Sequence, residues 1–392
     1  MSEFKRYKQR MHILRLLYKK GELSASSLSK KINISLPTTR TLLDELIRQE
    51  VICPSGPGKS IGGRKPQIYT LSGDSCFVLA IELGHYKANA VISNSQNKWV
   101  TPVTEFETNI NDPQIEQKIE LVFTGLLQSA AISKSKIKAI GISMPGLIDS
   151  ENGLNKTIQL HELRPIARRI SEHFGITVFI ENDARMQALG EFEFGAARNT
   201  QNSLVINWSW GLGLGIIGNG KIYNGSTGNS GELSHIRLQE EGDLCECGKR
   251  GCFQTIAGAR RLVEMARKEI SRGTISQLST QFGHNPEQLT PDNIIDCARQ
   301  GDELSINLLN QIGTRLAWGL SILIQLHNPE LIVLNGQLSR AGQYVLIPIR
   351  QALNQYCLQN ILENVRIEFS EAGAYAGLKG VTAMVYNRLF VD

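Results

Sequence analysis

The apolar residues at the start of the chain recur at helical spacing, with basic residues between them. They fall three or four positions apart, at Tyr7, Met11, Leu14 and Leu17. This period predicts a helix that ends at Gly21. A second helix is predicted over residues 24–31 and a third over residues 35–49, each opening on a serine that can cap it. The turn at Asn33 and Ile34 between them predicts a helix-turn-helix.

Two short runs of strand-forming residues follow the third helix, Val51–Cys53 and Gln67–Leu71. The loop between them is rich in glycine, lysine and arginine, which predicts a hairpin wing. Short polar side chains and one arginine at the start of a recognition helix suit base edges and phosphates, and basic residues at a wing tip suit phosphate or the minor groove. The candidate DNA-contacting residues are Ser35, Pro37, Thr38, Thr39 and Arg40 on the helix, and Lys59, Arg64 and Lys65 on the wing. A basic bundle that contacts other proteins is the alternative that this pattern leaves open.

The remainder of the chain alternates between strand and helix patterns, and a similar order occurs twice. The first set has strands at Cys76–Glu82, Ala88–Ser93, Trp99–Thr104, Ile137–Ile142 and Ile176–Ile180, with a helix at Ile115–Ile132. The second set has strands at Leu204–Asn207, Gly215–Ile217, Leu331–Leu334 and Val365–Phe369, with helices between and after them. We expect an α/β protein with a winged helix-turn-helix domain at 1–73, a first α/β lobe at 74–180 and a second lobe at 181–392 that includes the C-terminal helix. The polar stretch 274–288 has no clear pattern.

The charge of the chain is unevenly distributed. Residues 1–73 carry 14 Lys and Arg against 5 Asp and Glu, whereas the rest of the chain carries 28 against 32. A small basic domain on a mildly acidic body indicates that only the basic domain meets a polyanion such as DNA. No apolar run is long enough to span a bilayer and no signal peptide opens the chain, so we expect a cytoplasmic protein without membrane insertion.

Three of the seven cysteines lie within eight residues of one another. Cys245, Cys247 and Cys252 are separated by glycines and other polar residues, and His235 lies ten positions before the first of them. Three thiolates and one imidazole form the closed tetrahedral site that Zn²⁺ prefers. A disulfide or a chance cluster is the alternative, and a reducing compartment disfavours the disulfide. The spacing therefore predicts a structural zinc ion.

Three motifs together resemble one family. They are the cysteine loop with its histidine, the triplet Glu181-Asn182-Asp183 and the run Gly231-Glu232-Leu233-Ser234-His235. With the winged domain they resemble the ROK family (repressor, open reading frame, kinase), and within it the regulator branch that responds to N-acetylglucosamine or glucose. The resemblance covers essentially the whole chain. It implies two lobes of the actin-like sugar-kinase fold behind the DNA-binding domain, and zinc held by His235, Cys245, Cys247 and Cys252.

The resemblance also implies a sugar pocket. Its residues would be Asn182, Asp183, Glu232 and His235, with Gln254 where the family has a glutamate. Carboxylates accept hydrogen bonds from adjacent sugar hydroxyls, and an amide both donates and accepts. Zinc would hold one ring nitrogen of His235 and leave the other to donate. A helix cap is the simpler explanation of the Asn182-Asp183 pair, and the changes at Ser234 and Gln254 leave the identity of the sugar open.

The phosphate-binding side departs from the kinases of this family. Their first lobe opens with an Asp-x-Gly-Gly-Thr type loop, where this chain has Glu82-Leu83-Gly84-His85-Tyr86-Lys87. Their second phosphate loop begins Gly-Thr-Gly, where this chain has Ser209-Trp210-Gly211, followed by Gly213 and Gly215. Phosphates approach a backbone only where residues are small, so an indole at Trp210 predicts weak or absent ATP binding. Asp183, which the resemblance makes the general base of the kinases, is nevertheless present.

These features lead to the hypothesis of a sequence-specific DNA-binding transcriptional regulator, a repressor of sugar-metabolism genes. A sugar or sugar phosphate bound between the lobes would release the double-stranded operator, and the two heads of a homodimer or tetramer would lie on a palindromic site. A transporter component is a further candidate partner. Two alternatives stay open: a ROK-type sugar kinase that carries a DNA-binding domain and uses Asp183 as its base, and a zinc-stabilised scaffold without a small ligand.

Overall fold

The computed structural model describes residues 3–58, 65–84, 86–157 and 165–390. The chain divides into two compact units: unit 1 holds the residues up to Asn182 together with those from Val381 onward, and unit 2 holds Asp183–Gly380. The chain therefore returns to unit 1 inside its last helix. The prediction placed that helix wholly in the second lobe; its final turns instead pack on the sheet of unit 1, where Val381 and Val385 lie against Gly141.

The first part of unit 1, which we call the head (residues 1–73), is a winged helix-turn-helix as predicted. Its elements are α1 (Glu3–Lys20), β1 (Leu23–Ser24), α2 (Ala25–Ile32), α3 (Leu36–Arg48), β2 (Ile52–Pro57) and β3 (Gln67–Leu71). β3 lies between β1 and β2 in a small antiparallel sheet. The hydroxyls of Ser24 and Ser35 accept the backbone N–H groups of Ser27 and Thr38, both at 3.2 Å, and so cap α2 and α3. Asn33 ends α2 in the left-handed conformation, with φ of 58°, and this produces the sharp turn before α3.

A compact apolar core holds the three helices of the head together. Its buried members are Ile13, Leu14, Leu17, Leu28, Leu42, Leu43 and Leu46. They come from one face of each helix, at the spacing that the sequence pattern predicts. The opposite face at the start of α3 therefore points away from the core.

The rest of unit 1 is an α/β lobe built on one mixed sheet. Its elements are β4 (Phe77–Leu83), β5 (Lys87–Asn94), β6 (Thr104–Glu107), α4 (Ile115–Ser129), β7 (Ile137–Met144), β8 (Ile148–Asp149), β9 (Leu154–Asn155), α5 (Ile166–Phe174) and β10 (Thr177–Asn182). The sheet has the order β10-β7-β4-β5-β6: β4 to β6 form an antiparallel meander, and β7 and β10 run parallel to β4. The strand predicted at Trp99–Thr104 is wrong. Trp99 pairs with Ser93 in an isolated bridge rather than in a strand, and the strand begins at Thr104, after Pro102, which has no N–H to donate.

Unit 2 repeats this arrangement with additional helices. Its elements are α6 (Asp183–Phe194), β11 (Ser203–Trp208), β12 (Leu212–Gly218), β13 (Lys221–Ile222), α7 (Phe253–Ala257), α8 (Ala259–Ser271), α9 (Gln277–Phe282), α10 (Pro291–Arg299), α11 (Glu303–His327), β14 (Leu331–Asn335), α12 (Gln343–Tyr356), α13 (Gln359–Leu362), β15 (Arg366–Phe369) and α14 (Ala376–Leu389), the last of which ends in unit 1. Its sheet has the order β15-β14-β11-β12-β13, again a meander with two parallel strands beside its first strand. α9 occupies the stretch that lacked a pattern, and a capping box between Ser276 and Ser279 starts it.

Across the ranges given above, none of the helices combines the length and the apolar character that crossing a bilayer requires.

Candidate functional site

The four predicted metal ligands are brought together in unit 2. One potential ligand atom from each of His235, Cys245, Cys247 and Cys252 lies within 4.8 Å of the others, and we call this group the metal cluster. His235 Nδ1 is 3.6 Å from Cys245 Sγ, and Cys247 Sγ is 3.6 Å from Cys252 Sγ. A tetrahedral zinc ion with bonds of about 2.0–2.3 Å separates its ligand atoms by about 3.3–3.8 Å. The donor set and its spacing therefore fit a zinc ion.

Turns rather than regular elements place these ligands. His235 ends a single 3₁₀ turn, and Cys252 immediately precedes α7. Between them, the Cys245 N–H donates to the Lys249 carbonyl at 2.8 Å, and the Gly248 N–H donates back to the Cys245 carbonyl at 2.9 Å. This tight turn brings Cys247 toward the other ligands. Because so tight a turn requires the conformational freedom of glycine, Gly248 follows Cys247 directly.

The thiols of the metal cluster differ in acidity. Burial, followed by hydrogen bonds with its neighbouring thiols, raises the pKa of Cys252 to about 12. The backbone N–H of Lys249 lowers the pKa of Cys247. A thiol with so high a pKa stays protonated at neutral pH unless a cation displaces its proton, so metal binding here is coupled to proton release.

Gln254 lies directly beside the metal cluster. Its Nε2 donates to Cys245 Sγ at 3.1 Å and to Glu246 Oε1 at 3.0 Å. Its Oε1 faces the backbone of Gly211, where a Cβ would lie 2.9 Å away. Reversing the amide would set its oxygen against a thiolate and a carboxylate, so the observed orientation is the favourable one. Both N–H groups of the Gln254 amide are thus engaged. If Gln254 contacts a sugar as predicted, it would accept a hydrogen bond from a sugar hydroxyl through Oε1.

Two of the predicted sugar-binding carboxylates lie close enough to influence each other. Asp183 is the first residue of α6, and its Oδ1 accepts the N–H of Ala184 at 2.9 Å. Burial raises the pKa of Glu232, the Arg185 guanidinium lowers it, and the charge of Asp183 raises it further. Asp183, Arg185 and Glu232 therefore form one electrostatic group, which we call the acid–arginine group.

Sequence reasoning missed Arg185. Its side chain is only 3% exposed, and its guanidinium donates to the Gly228 carbonyl. An arginine in the first turn of a helix normally points into water, and nothing in the neighbouring residues marks this one as buried. The one indication in the sequence was its position, because Arg185 follows Asp183, a predicted sugar-binding residue, by two residues.

Asn182 ends β10 in unit 1. Its Nδ2 donates to the Gly146 carbonyl at 3.2 Å, and its backbone N–H donates to Glu181 Oε1 at 2.8 Å. The carboxyl end of a parallel strand is the usual place for ligand-binding side chains in α/β sheets. Asn182 therefore occupies a position at which a sugar-contacting residue is expected.

The loop between β11 and β12 carries Trp210, whose side chain is 48% exposed. The carbonyls of Ser209 and Trp210 accept the N–H groups of Ala259 and Arg260, at 2.9 and 3.4 Å. These two donors are the first residues of α8, and free N–H groups at a helix N-terminus are what would bind a phosphate. Here the loop itself occupies them.

The two following glycines are explained by packing. A Cβ at Gly213 would lie 2.8 Å from Ala184 Cβ, and a Cβ at Gly215 would lie 2.2 Å from Ala188 Cβ. Both alanines belong to α6, which packs directly on β12. The glycines of this strand therefore allow the close approach of a helix, which weakens the argument that they were kept for phosphate binding. In the other predicted phosphate loop, the Gly84 N–H donates to the Lys87 carbonyl at 2.8 Å, and His85 lies outside the described residues.

The start of α3 presents three of the five DNA-contacting residues predicted on this helix at the surface of the head. Ser35, Pro37 and Arg40 are exposed, and Thr38 is half-buried with its hydroxyl 2.7 Å from that of Ser35. Thr39 was predicted to contact DNA, but its side chain is fully buried and its hydroxyl donates to the Ser35 carbonyl at 3.0 Å. It points into the head because it lies three residues before Leu42 on the apolar face of α3. On the wing Lys65 is exposed, while Lys59 and Arg64 lie outside the described residues.

Comparison with known proteins agrees with this architecture. The profile described as the ROK family matches residues 78–388, and the profile described as a winged helix-turn-helix DNA-binding domain matches residues 8–52. The chain is 26% identical over 382 residues to the xylose repressor of Caldicellulosiruptor bescii, covering 96% of this chain and 94% of that protein. It is 29% identical over 254 residues to the glucokinase of Thermotoga maritima, covering 64% of this chain and 80% of that enzyme.

A solved structure resembles the chain over its full length. It is the crystal structure of a ROK family transcriptional regulator described as a homolog of the Escherichia coli MLC protein, with a TM-score of 0.82, 25% identity and coverage of 98% of both chains. The predicted fold class, a winged helix-turn-helix followed by the two α/β lobes of the actin-like fold, is confirmed. Because the family profile matches well over half of its length, this protein belongs to the ROK family, and it carries a winged helix-turn-helix DNA-binding domain in front of the ROK domain.

Proposed function

We propose that this protein is a DNA-binding transcriptional repressor of sugar-metabolism genes, and that a sugar bound by its ROK domain releases it from the operator. The observation that carries the proposal is the combination, in one chain, of an exposed α3 face in a winged head with the acid–arginine group at the start of α6. Similarity to a xylose repressor over 96% of the chain supports the same function.

The proposed sugar-binding residues are Asn182, Asp183, Glu232, His235 and Gln254, the last through its Oε1 atom. Glu232 and Asp183 carry two negative charges when both are ionised, against one positive charge on Arg185. A site with this balance suits a neutral polyhydroxyl ligand better than a phosphorylated one, because a phosphate would add charge of the prevailing sign. We take D-xylose as the first candidate effector, since the similar repressor is named for it.

We propose that the metal cluster holds a structural zinc ion. When bound, the ion would supply a fixed tetrahedral anchor for the loop from His235 to Cys252, and it would add its binding free energy to that of folding. Because Nδ1 of His235 faces the cluster, Nε2 is the ring nitrogen left to donate to a sugar hydroxyl or to a carboxylate.

We also propose that the protein does not phosphorylate sugars. The exposed indole of Trp210 and the engagement of the α8 N-terminus by loop carbonyls leave little for a triphosphate to bind. The competing function is a ROK sugar kinase with Asp183 as general base. Its support is the presence of that carboxylate at the start of α6 and the similarity to a glucokinase. Turnover of ATP with D-xylose or D-glucose by the zinc-loaded protein would favour the kinase.

A homo-oligomer completes the proposal. One head presents one recognition helix, so two heads on a palindromic operator would give the affinity of a bivalent site. Whether the oligomer is a dimer or a tetramer follows from sedimentation of the free and DNA-bound protein. Contact with a transporter component would add a second input. We propose a cytoplasmic location because the protein acts on operator DNA.

The test begins with selection of the operator. The zinc-loaded protein is used to enrich binding sites from a random duplex library, and the dissociation constant of the selected operator is measured with and without a panel of neutral and phosphorylated sugars. We expect D-xylose or a related neutral sugar to weaken binding at least tenfold, and Asp183→Ala to abolish that response while retaining DNA binding. The repressor proposal is wrong if no duplex is enriched, or if no sugar of the panel changes the dissociation constant.

A further inference from the structure

Three aromatic rings join the head to the C-terminal helix within unit 1. Tyr18 lies in the last turn of α1, and its ring centroid is 5.2 Å from that of Tyr386 and 5.7 Å from that of Phe390. The rings of Tyr386 and Phe390 are stacked, with centroids 5.8 Å apart. Tyr386 is fully buried and Phe390 is nearly so. We call these three residues the aromatic cluster; distances of this size are those of favourable ring packing.

Hydrogen bonds fix two of these rings to the first lobe. The Tyr18 hydroxyl donates to Asn97 Oδ1 at 2.6 Å. The Tyr386 hydroxyl lies 3.1 Å from the Cys76 carbonyl oxygen and 3.0 Å from that of Ser93, so its single proton is shared between them. Burial raises the pKa of Tyr386 well above its ordinary value, which keeps this hydroxyl a donor. The rings are therefore held in one arrangement rather than loosely packed.

The turn that receives Tyr18 also binds the end of the wing. Gln96 Nε2 donates to the Leu71 carbonyl at 2.8 Å, and the Ser95 hydroxyl donates to the Ser72 carbonyl at 2.8 Å. The head is thus attached to the lobe at two places, through α1 and through the residues after β3. Two attachments define an orientation, whereas the chain connection alone would leave the head free to rotate.

The helix that carries Tyr386 has partners in both units. In unit 2, Gly380 lies so close to α6 that a Cβ there would overlap the Met186 carbonyl. In unit 1, Val381 and Val385 pack where Gly141 of β7 leaves room for them. α14 is continuous across this change of unit. One continuous helix therefore both packs on α6, the helix that begins with Asp183, and contributes two rings to the aromatic cluster.

We propose that Tyr18 is a positioning residue that transmits the state of the sugar-binding unit to the DNA-binding head, by packing against the end of α14. The inference rests on the proposed function for the nature of the signal, which is the sugar at Asp183. It adds the route by which that signal reaches α3. Because coupling between two ligands is reciprocal, operator binding at the head must also change the stability of α14.

That reciprocity gives a test that needs no sugar. Hydrogen–deuterium exchange of peptides covering residues 376–390 is measured in the full-length, zinc-loaded protein with and without operator DNA. We expect the operator to change the exchange rate of this segment at least threefold in the wild type. Tyr18→Leu should abolish the change, since leucine fills space but provides no ring to stack. The proposal is overturned if the wild type shows no change, or if Tyr18→Leu shows the same change.

Matched variants separate the transmission of a signal from simple support of the fold. Tyr7→Leu removes an exposed ring from the same helix and should behave as wild type. Phe390→Leu should reproduce the loss seen with Tyr18→Leu, and Tyr18→Phe should retain most of the coupling because it keeps the ring while it removes the hydroxyl that donates to Asn97. A Tyr18→Phe variant as uncoupled as Tyr18→Leu would overturn the assignment to ring packing.

The sugar response supplies a second readout. We expect the ratio of operator dissociation constants with and without D-xylose to fall at least threefold in Tyr18→Leu, while D-xylose binding to the free protein stays within twofold of wild type. Equal ratios in the two proteins would count against Tyr18 as the route. If D-xylose and the other sugars leave the wild-type operator affinity unchanged, the proposed function fails. The hydrogen–deuterium exchange measurement still determines whether the head is coupled to α14.

Discussion

Adding one methyl group at Gly215 tests why β12 is rich in glycine. A Cβ at this position would lie 2.2 Å from Ala188 Cβ and 2.8 Å from the Ala184 carbonyl oxygen, both on α6. Carbon atoms in contact are about 3.5–4.0 Å apart, so α6 would have to move by more than about 1 Å. It has little room to do so, because a Cβ at Gly190 on the same helix would overlap the Ala376 carbonyl.

The expected cost follows from this crowding. Overpacking a tight interface costs about 1–3 kcal/mol, and a contact this close to backbone belongs at the upper end. For a unit of this size, about 3 kcal/mol lowers Tm by roughly 6–12 °C. Gly218→Ala is the matched control: it lies on the same strand, and a Cβ there would meet no atom within 4 Å, so we expect no packing cost.

The assay is thermal unfolding of the zinc-loaded proteins, followed by circular dichroism and repeated in the presence of Mg²⁺ and ATP. We expect Gly215→Ala to melt well below Gly218→Ala, and ATP to raise the Tm of neither variant nor of the wild type. Equal melting temperatures for the two variants would refute the packing explanation. A wild type that ATP stabilises, beside a Gly215→Ala variant that it does not, would show that the glycine is needed for phosphate.

Three further predictions concern the separate parts of the molecule. Arg40→Ala should weaken operator binding by about 1–3 kcal/mol in a gel-shift titration, with the melting of the body unchanged, because we expect this exposed side chain to contact DNA rather than the core. Cys247→Ser should lower the zinc content measured by atomic emission and the Tm of unit 2, because a zinc ion bound by three ligands contributes less to folding. For Glu232, burial raises the pKa, so its contribution to stability is full below the ordinary glutamate pKa and is lost as pH rises through the raised value. Glu232→Gln should therefore melt above the wild type at neutral pH and lose sugar binding, and a wild-type advantage at neutral pH in a series of melts from pH 4 to 8 would contradict this.

The sequence was most informative where local chemistry decides the structure. Ser24 and Ser35 cap their helices as predicted, since a cap depends only on neighbouring backbone groups. The metal cluster was recognisable because glycine-spaced cysteines near a histidine can be counted without knowing the fold. The duplicated order of strands was visible for the same reason: each meander and each parallel strand has its own hydrophobic pattern.

The sequence-based predictions were wrong where residues distant in the sequence determine the structure. Thr39 was read as a DNA contact because threonine is polar, but its place on the apolar face of α3 buries it. The C-terminal helix was assigned to one lobe because its period is continuous, and no sequence period reveals that Val381 and Val385 pack on a strand 240 residues earlier in the chain, at Gly141. Arg185 was missed because burial of a guanidinium depends on Glu232, which is brought near only by folding.

Gln254 shows how one atom can change the role of a site. A glutamate at this position could offer two acceptors to a sugar, but it could not donate to Cys245 Sγ, and its charge would oppose both that thiolate and Glu246. The amide reverses this: its N–H groups engage Cys245 and Glu246, and its oxygen faces Gly211 in the loop of Trp210. The metal cluster and the loop of Trp210 are thereby joined through a single side chain. Under the proposed function, the carboxylates left to bind a sugar are Asp183 and Glu232, balanced by Arg185. A sugar would then be recognised with fewer acceptors than in the family pattern, and we therefore expect a ligand smaller than N-acetylglucosamine.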